Sequence, residues 1–180
     1  MIRNKNRHNW LKIIATVFLL LILGIFVYNL YPEPRLPKNA MVDKLVVYKS
    51  KRALLAYAEG KLLKSYRISL GGAPVGAKKI EGDLKTPEGL YYINDKNQYS
   101  EYHKNLGVSY PNDQDIAYAR SLGKTAGGDI KIHGLRNGMG FIGKLQRWTD
   151  WTFGCMALTN TEIDELYQAV PIGTPITINP

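Results

Sequence analysis

The chain holds a single cysteine, Cys155, in the stretch DWTFGCMALTN, and His133 lies 22 residues before it in IKIHGL. A thiol is mostly protonated at neutral pH and attacks poorly, but an imidazole that shares or removes its proton makes it a nucleophile. Gly154 lets the backbone approach a substrate closely and frees N–H groups for a developing oxyanion. A nucleophile, a base and oxyanion donors make an acyl-transfer kit. Its thiol is expected to ionise well below about pH 8.5. The plain alternative is a buried, inert core cysteine. A zinc site from His103, His133 and Cys155 lacks the paired spacing such sites use, so neither metal nor cofactor is expected.

The elements that must position this pair begin after an N-terminal segment of another kind. Ile13 to Leu30 reads IIATVFLLLILGIFVYNL, with no charge in 18 residues. With Leu11 and Tyr31 it reaches the roughly 20 residues that cross a bilayer. A cleaved signal peptide has a shorter apolar core and a small-residue exit, which YNLYPEPRLPK does not offer. The reading is an uncleaved signal anchor over 13–31 behind a basic cytoplasmic tail, 1–12. Arg3, Lys5, Arg7 and Lys12 precede the span with no acid among them, which keeps the N-terminus inside and the remainder outside. A Pro-rich linker, 32–42, then leads to one folded domain, 43–180. Without the four tail charges the formal +9 falls to +5. That suits an anionic surface, and no basic–aromatic pattern calls for nucleic acid. Outside the cytoplasm thiols tend to pair, so a lone cysteine there is inert, joined to another chain, or reactive.

Within the domain, KLVVYKS and RALLAYAEGKLLKSYRISL read as strands, the latter turning at Glu59-Gly60. GGAPVGAKKIEGDLKTPEG is a Gly/Pro-rich loop; Gly71 and Gly76 have phosphate-loop spacing, but Ala77 stands where a lysine is needed. LYYIN, DIKIHGL, CMALT and TPITI are further strands. NDQDIAYARSLG has helix start and stop signals, and NTEIDELYQAV is amphipathic behind a capping-type start. Many short strands with one or two helices indicate a mostly β (α+β) domain, a sandwich or partly closed barrel.

From about Leu45 to Ile178 the chain resembles the L,D-transpeptidase catalytic-domain (YkuD-type) family of bacterial wall enzymes. The resemblance rests on GDLKTPEGLYYI, IKIHGL and DWTFGCMALTNTEIDELYQAVPIGTPITI. The last block keeps Thr152, Gly154, Cys155, Asn160, Pro171, Gly173, Thr174 and Pro175 in the family's places, and the upstream histidine maps to His133. Phe153 replaces the histidine usual two residues before the nucleophile, and the His133–Cys155 gap is long. With DWT-x-GC and SYPNDQD, both departures look like the YafK-type branch, which includes a member that frees a wall-anchored lipoprotein from peptidoglycan.

The resemblance implies that Cys155 attacks the diaminopimelyl carbonyl of a peptidoglycan stem peptide and His133 serves as general acid/base. The thioester then passes to an amine, or to water in an amidase of the same fold. The resemblance also implies that backbone N–H groups around Phe153 to Cys155, those of Phe153 and Gly154 first, hold the oxyanion. The apolar span and the basic tail before it predict a single-pass membrane protein with its catalytic domain outside. The family often has a serine beside the histidine; Gly134 stands there instead, so a backbone carbonyl is expected to orient the imidazole. Thr152, Arg136 and Trp151 are candidate substrate-binding residues, Arg136 toward the stem's carboxylates. Against this, Trp148 and Trp151 read as core packing, Arg136 as a solvated surface residue, and Lys85 and Glu88 as turn surface. A degenerate wall-binding module is the reading from another class; the retention of both His133 and Cys155 weighs against it.

Overall fold

The computed structural model describes residues 3–180, with side chains from Asn9 onward. Met1, Ile2 and the side chains of Arg3, Lys5 and Arg7 lie outside the described residues, so most of the expected basic tail is not described. The chain divides into two units, 1–33 and 34–180. The first is helix α1, Arg3–Leu30. Its stretch Asn9–Leu30 has mean hydropathy 2.6 and none of it is buried, which excludes a core helix. Twenty-two helical residues span about 33 Å, enough for a hydrocarbon core. By length and composition α1 is a candidate membrane span.

The second unit is built on an eight-stranded mixed sheet. Its strands are β1 (Lys44–Tyr48), β2 (Ala53–Ala58), β3 (Lys61–Arg67), β4 (Gly89–Ser100), β5 (His103–Val108), β6 (Lys131–His133), β7 (Met156–Ala157) and β8 (Pro175–Asn179). They lie in the order β3-β2-β1-β8-β4-β5-β6-β7. The β2–β3 hairpin turns at Glu59 (φ 51°) and Gly60 (φ 75°), the left-handed pair that a two-residue turn of this hand requires. The two edges of the sheet meet. Just beyond β3, Ser69 exchanges both backbone hydrogen bonds with Ala157 of β7, at 3.0 and 2.8 Å. The sheet therefore curls into a partly closed barrel, around a core that includes Leu45, Val47, Tyr66, Ile68, Tyr91, Ile93, Leu106, Ile132, Met156 and Leu158.

Helix α2 (Asp113–Ser121) and helix α3 (Asn160–Ala169) both start with capping boxes, at Asn112 and Thr159. Each such cap contributes about 1 kcal/mol. α3 packs against β5. A 3-10 segment, Gly140–Trp148, is broken by Gly143 and tied to α3 by Arg147 on Glu162 at 2.7 Å, both nearly fully buried. Sequence patterning does not call β5, because HKNLGV begins polar. It likewise stops β4 at LYYIN. β4 runs on through DKNQYS because the hairpin with β5 carries two register shifts, at Ile93/Asp95 and Asn97/Ser100, which erase the alternation.

The Gly/Pro-rich loop 71–89 is held from beneath. Lys49, 2% exposed, donates to Gly76 O (2.6 Å), Thr86 O (3.0 Å) and Glu88 Oε1 (2.8 Å). Glu88 is thus not idle turn surface, as its sequence setting suggested, but the counter-charge of a buried lysine. Thr86 Oγ1 accepts the Gly71 N–H at 3.2 Å. This anchored loop forms the floor on which the cysteine segment rests.

Candidate active site

β6 and β7 run parallel, with Ile132 opposite Met156 and His133 opposite Ala157. Ile132 and Met156 both point into the core. Side chains alternate along strands, so His133 and the neighbouring Cys155 share the opposite face. Both line one cavity of about 440 Å³, together with Tyr102, Asn105, Asp129, Lys131, Trp151, Thr152 and Phe153 among others.

The imidazole is fixed on three sides. Its ring centroid is 4.8 Å from Tyr102 and 5.7 Å from Trp151, the latter edge-on. Nδ1 lies 2.7 Å from the Gly134 carbonyl. A carbonyl only accepts, so Nδ1 carries the proton and Nε2 keeps its lone pair. The turn after His133 is clamped in turn by Asn160 of α3, whose Oδ1 accepts the Leu135 N–H at 2.8 Å.

The cysteine segment is equally constrained. Thr152 Oγ1 donates to Cys155 O at 2.7 Å and accepts the Gly154 N–H at 3.1 Å. Thr152 is 5% exposed and its one donor is spent on the loop, so it positions the nucleophile. The Gly154 N–H is spent as well. Gly154 supplies the bend, not an oxyanion donor. Among the described residues neither the Phe153 nor the Cys155 N–H donates to any protein group, which leaves these two as the available pair.

Gly154 has φ +129°, and a Cβ there would sit 2.5 Å from Lys85 O. Clash and strain act together, so Gly154→Ala is expected to lose about 2–4 kcal/mol of stability. Urea unfolding of the variant measures this; an unchanged midpoint would show that the loop has room the geometry denies.

The thiol and the imidazole are both held neutral. Burial pushes the Cys155 pKa up, opposed by a hydrogen bond from the Lys131 backbone. Burial, then the Lys131 ammonium, lower that of His133, against the pull of the Gly134 carbonyl. Both directions run against the sequence expectation of a thiol ionised well below its ordinary range and favour the neutral pair. The sulfur is 3.6 Å from Asp129 O, its S–H acceptor.

The reading of both tryptophans as core packing also changes. Trp148 is 59% exposed and Trp151 is half-buried against the imidazole, so neither is core. Trp151 forms a cavity wall, its Nε1 donating to Gln146 Oε1 at 3.0 Å. Arg136 is exposed and does not meet the pair; it lines an adjoining apolar pocket with Leu135, Met139 and Leu145, separated by Tyr102 and Trp151. Phe153, 80% exposed, stands at the cavity rim. His103 Nε2 is 3.0 Å from Asp164 Oδ1 and does not line the cavity. Sequence reasoning passed over Lys131, Asp129, Tyr102 and Asn105. The signal for Lys131 was present, two positions before His133 on the same strand face.

Residues 43–178 match the model of the YkuD family, the L,D-transpeptidase catalytic domain. A curated Escherichia coli (strain K12) protein named "Putative L,D-transpeptidase YafK" is 33% identical over 131 residues, covering 69% of this chain and 45% of its own length. The chain thus spans less than half of the curated relative it matches. Among solved structures, the helical cell shape determining protein Pgp2 from Campylobacter jejuni is 29% identical at TM-score 0.56. It covers 78% of this chain and 51% of its own. Bd1075 from Bdellovibrio bacteriovorus shares the fold, with TM-score 0.51 and 21% identity over 79% of this chain and 49% of its own.

Proposed function

Because the chain belongs to the L,D-transpeptidase catalytic-domain family, we propose that it is a cysteine acyl-transferase acting on peptidoglycan stem peptides that contain diaminopimelate. What carries this reading is one cavity holding the chain's sole thiol and an imidazole whose Nε2 has no hydrogen-bond partner among the described residues. In the proposed cycle Nε2 takes the thiol proton as Sγ attacks the donor carbonyl. The N–H groups of Phe153 and Cys155 hold the oxyanion, and the C–N bond breaks as the imidazolium returns its proton to the departing amine. The resulting thioester passes its acyl group to an acceptor amine, regenerating the thiol. Attack by water on the same thioester would make the enzyme an amidase, releasing a peptide or a wall-linked lipoprotein.

The helix α1 would tether this domain to the outer face of a membrane, in reach of wall substrates through the segment 32–42. The expected domain boundaries belong to the same proposal. Incubating the full-length protein with defined tetrapeptide stems and lipoprotein-linked stems, and weighing the products, tests it. New cross-links mark a transferase, and freed stems without cross-links mark an amidase. An absence of either product from every stem leaves only a wall-binding module, and the proposal fails.

A further inference from the structure

The loop that seats the cysteine segment is organised by one carboxylate that the proposed reaction does not use. Asp83 Oδ2 accepts the N–H groups of Lys79 (2.7 Å) and Ile80 (3.1 Å). Its Oδ1 accepts Lys78 Nζ at 3.0 Å and the Lys85 N–H at 3.1 Å. Lys78 Nζ also donates to Ile80 O at 3.0 Å; its side chain is 4% exposed, against 11% for Asp83. Burial raises the Asp83 pKa, but the hydrogen bonds from Lys79, Ile80, Lys78 and Lys85 outweigh it and hold the carboxyl below its ordinary value. The group is therefore ionised at neutral pH.

Its hold on Lys85 reaches the catalytic cysteine through backbone alone. The Lys85 carbonyl lies against Gly154, the residue on which a Cβ would sit 2.5 Å from that oxygen. A Cβ on Gly71 would overlap the Leu84 carbonyl and come within 3.0 Å of the Gly154 Cα. Gly71 is bridged to Thr152, and the Gly72 N–H donates to Thr152 O at 2.9 Å. Three backbone segments thus stack with no side chain between them, which leaves Gly154 no room to relax. Its neighbours Phe153 and Cys155 supply the N–H groups assigned to the oxyanion. Between Asp83 and Lys85, Leu84 adopts φ +57°, a conformation unfavourable to any residue with a Cβ. Its side chain is 37% exposed, so packing does not account for the strain. What the left-handed turn achieves is direction: it aims the Leu84 carbonyl at Gly71 and the Lys85 carbonyl at Gly154. Strain of this kind persists where surrounding structure fixes it, and it collects at functional sites.

We propose that Asp83 is a positioning residue for acyl transfer: through Leu84 and Lys85 it fixes the direction of the Phe153 and Cys155 N–H groups. It does not line the catalytic cavity, and it acts only through the backbone it holds. The proposal rests on the acyl-transfer reading and deepens it by naming what preorganises the oxyanion donors. Donors aimed in advance need no reorganisation in the transition state, so loosening their seat slows chemistry more than binding.

The test compares two reactions of the same sulfur in the full-length protein. Turnover of a defined tetrapeptide stem uses the oxyanion donors. Alkylation by iodoacetamide does not: the sulfur displaces iodide at a saturated carbon, and no oxygen gains charge. Asp83→Asn turns an amide N–H₂ toward two of the four donors, whichever way it points, so two bonds are lost. Its kcat is expected to fall about 10- to 100-fold with KM within about twofold, a fraction of the roughly 10²–10³ that one oxyanion donor is worth. Alkylation should run at or above the parent rate, since the sulfur and its polar contacts are untouched. Leu84→Gly relieves the left-handed strain but frees the backbone, so its melting temperature should stay within a few degrees of the parent. Its kcat should still fall about three- to tenfold, again without slower alkylation. Turnover and alkylation falling together, a rise in KM at constant kcat, or an unchanged kcat overturns the positioning role and spares the acyl-transfer reading. If Asp83→Asn does not fold, Leu84→Gly decides, and a parental kcat there overturns the role. A parent that turns over no stem at all overturns both.

Discussion

Cys155→Ala is expected to lose turnover by about 10⁴-fold or more while the domain stays folded, because removing a covalent nucleophile leaves only binding and the oxyanion donors. The fold should barely register the change. Among the described residues the sulfur's polar contacts are one weak S–H donation to Asp129 O and one backbone N–H from Lys131. The sheet register on either side is set by Ile132/Met156 and His133/Ala157. A melting temperature within a few degrees of the parent is expected, equivalent to about 1 kcal/mol or less. If the variant turned over substrate at a comparable rate, the sulfur would not be the nucleophile.

Alkylation supplies a second reading of the same atom. With burial holding the thiol neutral, iodoacetamide should modify Cys155 slowly at pH 7 and accelerate only above the ordinary thiol range. Rapid modification at pH 6 would instead mean a resting thiolate–imidazolium pair, and the neutral assignment would be wrong.

The pairing of Cys155 with His133 was legible, since one thiol and few imidazoles leave little choice, and the strand reading of DIKIHGL supplied the face. The curled sheet was legible as a class, because its strands announce themselves through β-branched and aromatic runs such as LVVY and LLAYA. The half of β4 that follows LYYIN, and all of β5, were not. Their polar residues face the cavity, and bulges break the period that a pattern search relies on. The same cause hid Asn105 and Tyr102. The spent hydroxyl of Thr152 and the spent N–H of Gly154 were invisible for a different reason. Which donor finds which acceptor within a four-residue turn depends on φ and ψ, and Gly154 at +129° is a conformation that sequence permits without dictating. Glu88 was misjudged because its partner, Lys49, lies 39 positions away.

His133→Ala is expected to lower kcat/KM by about 10²–10⁴-fold, the ordinary worth of a positioned proton acceptor. Its pH profile carries more information than the loss. In the parent enzyme the competent form has a neutral imidazole and a protonated thiol. Burial lowers the pKa of the first and raises that of the second. The acid limb of kcat/KM should therefore fall below the usual imidazole value of about 6.5, and the alkaline limb above the usual thiol value of about 8.5, leaving a flat top across neutrality. Folding stability follows the same group. An unfolded His133 gains its proton near the ordinary value while the folded one resists, so the unfolded state binds more protons between the two. Stability contributed by the neutral imidazole is then present above the unfolded pKa and is lost as the pH falls toward the folded one. Melting temperatures taken at each pH separate that loss from the titration of activity. In His133→Ala the acid limb should vanish with the group that makes it. A variant that kept the limb, or an acid limb in the parent well above the ordinary imidazole range, would remove His133 from the proton transfer and require another base in the cavity.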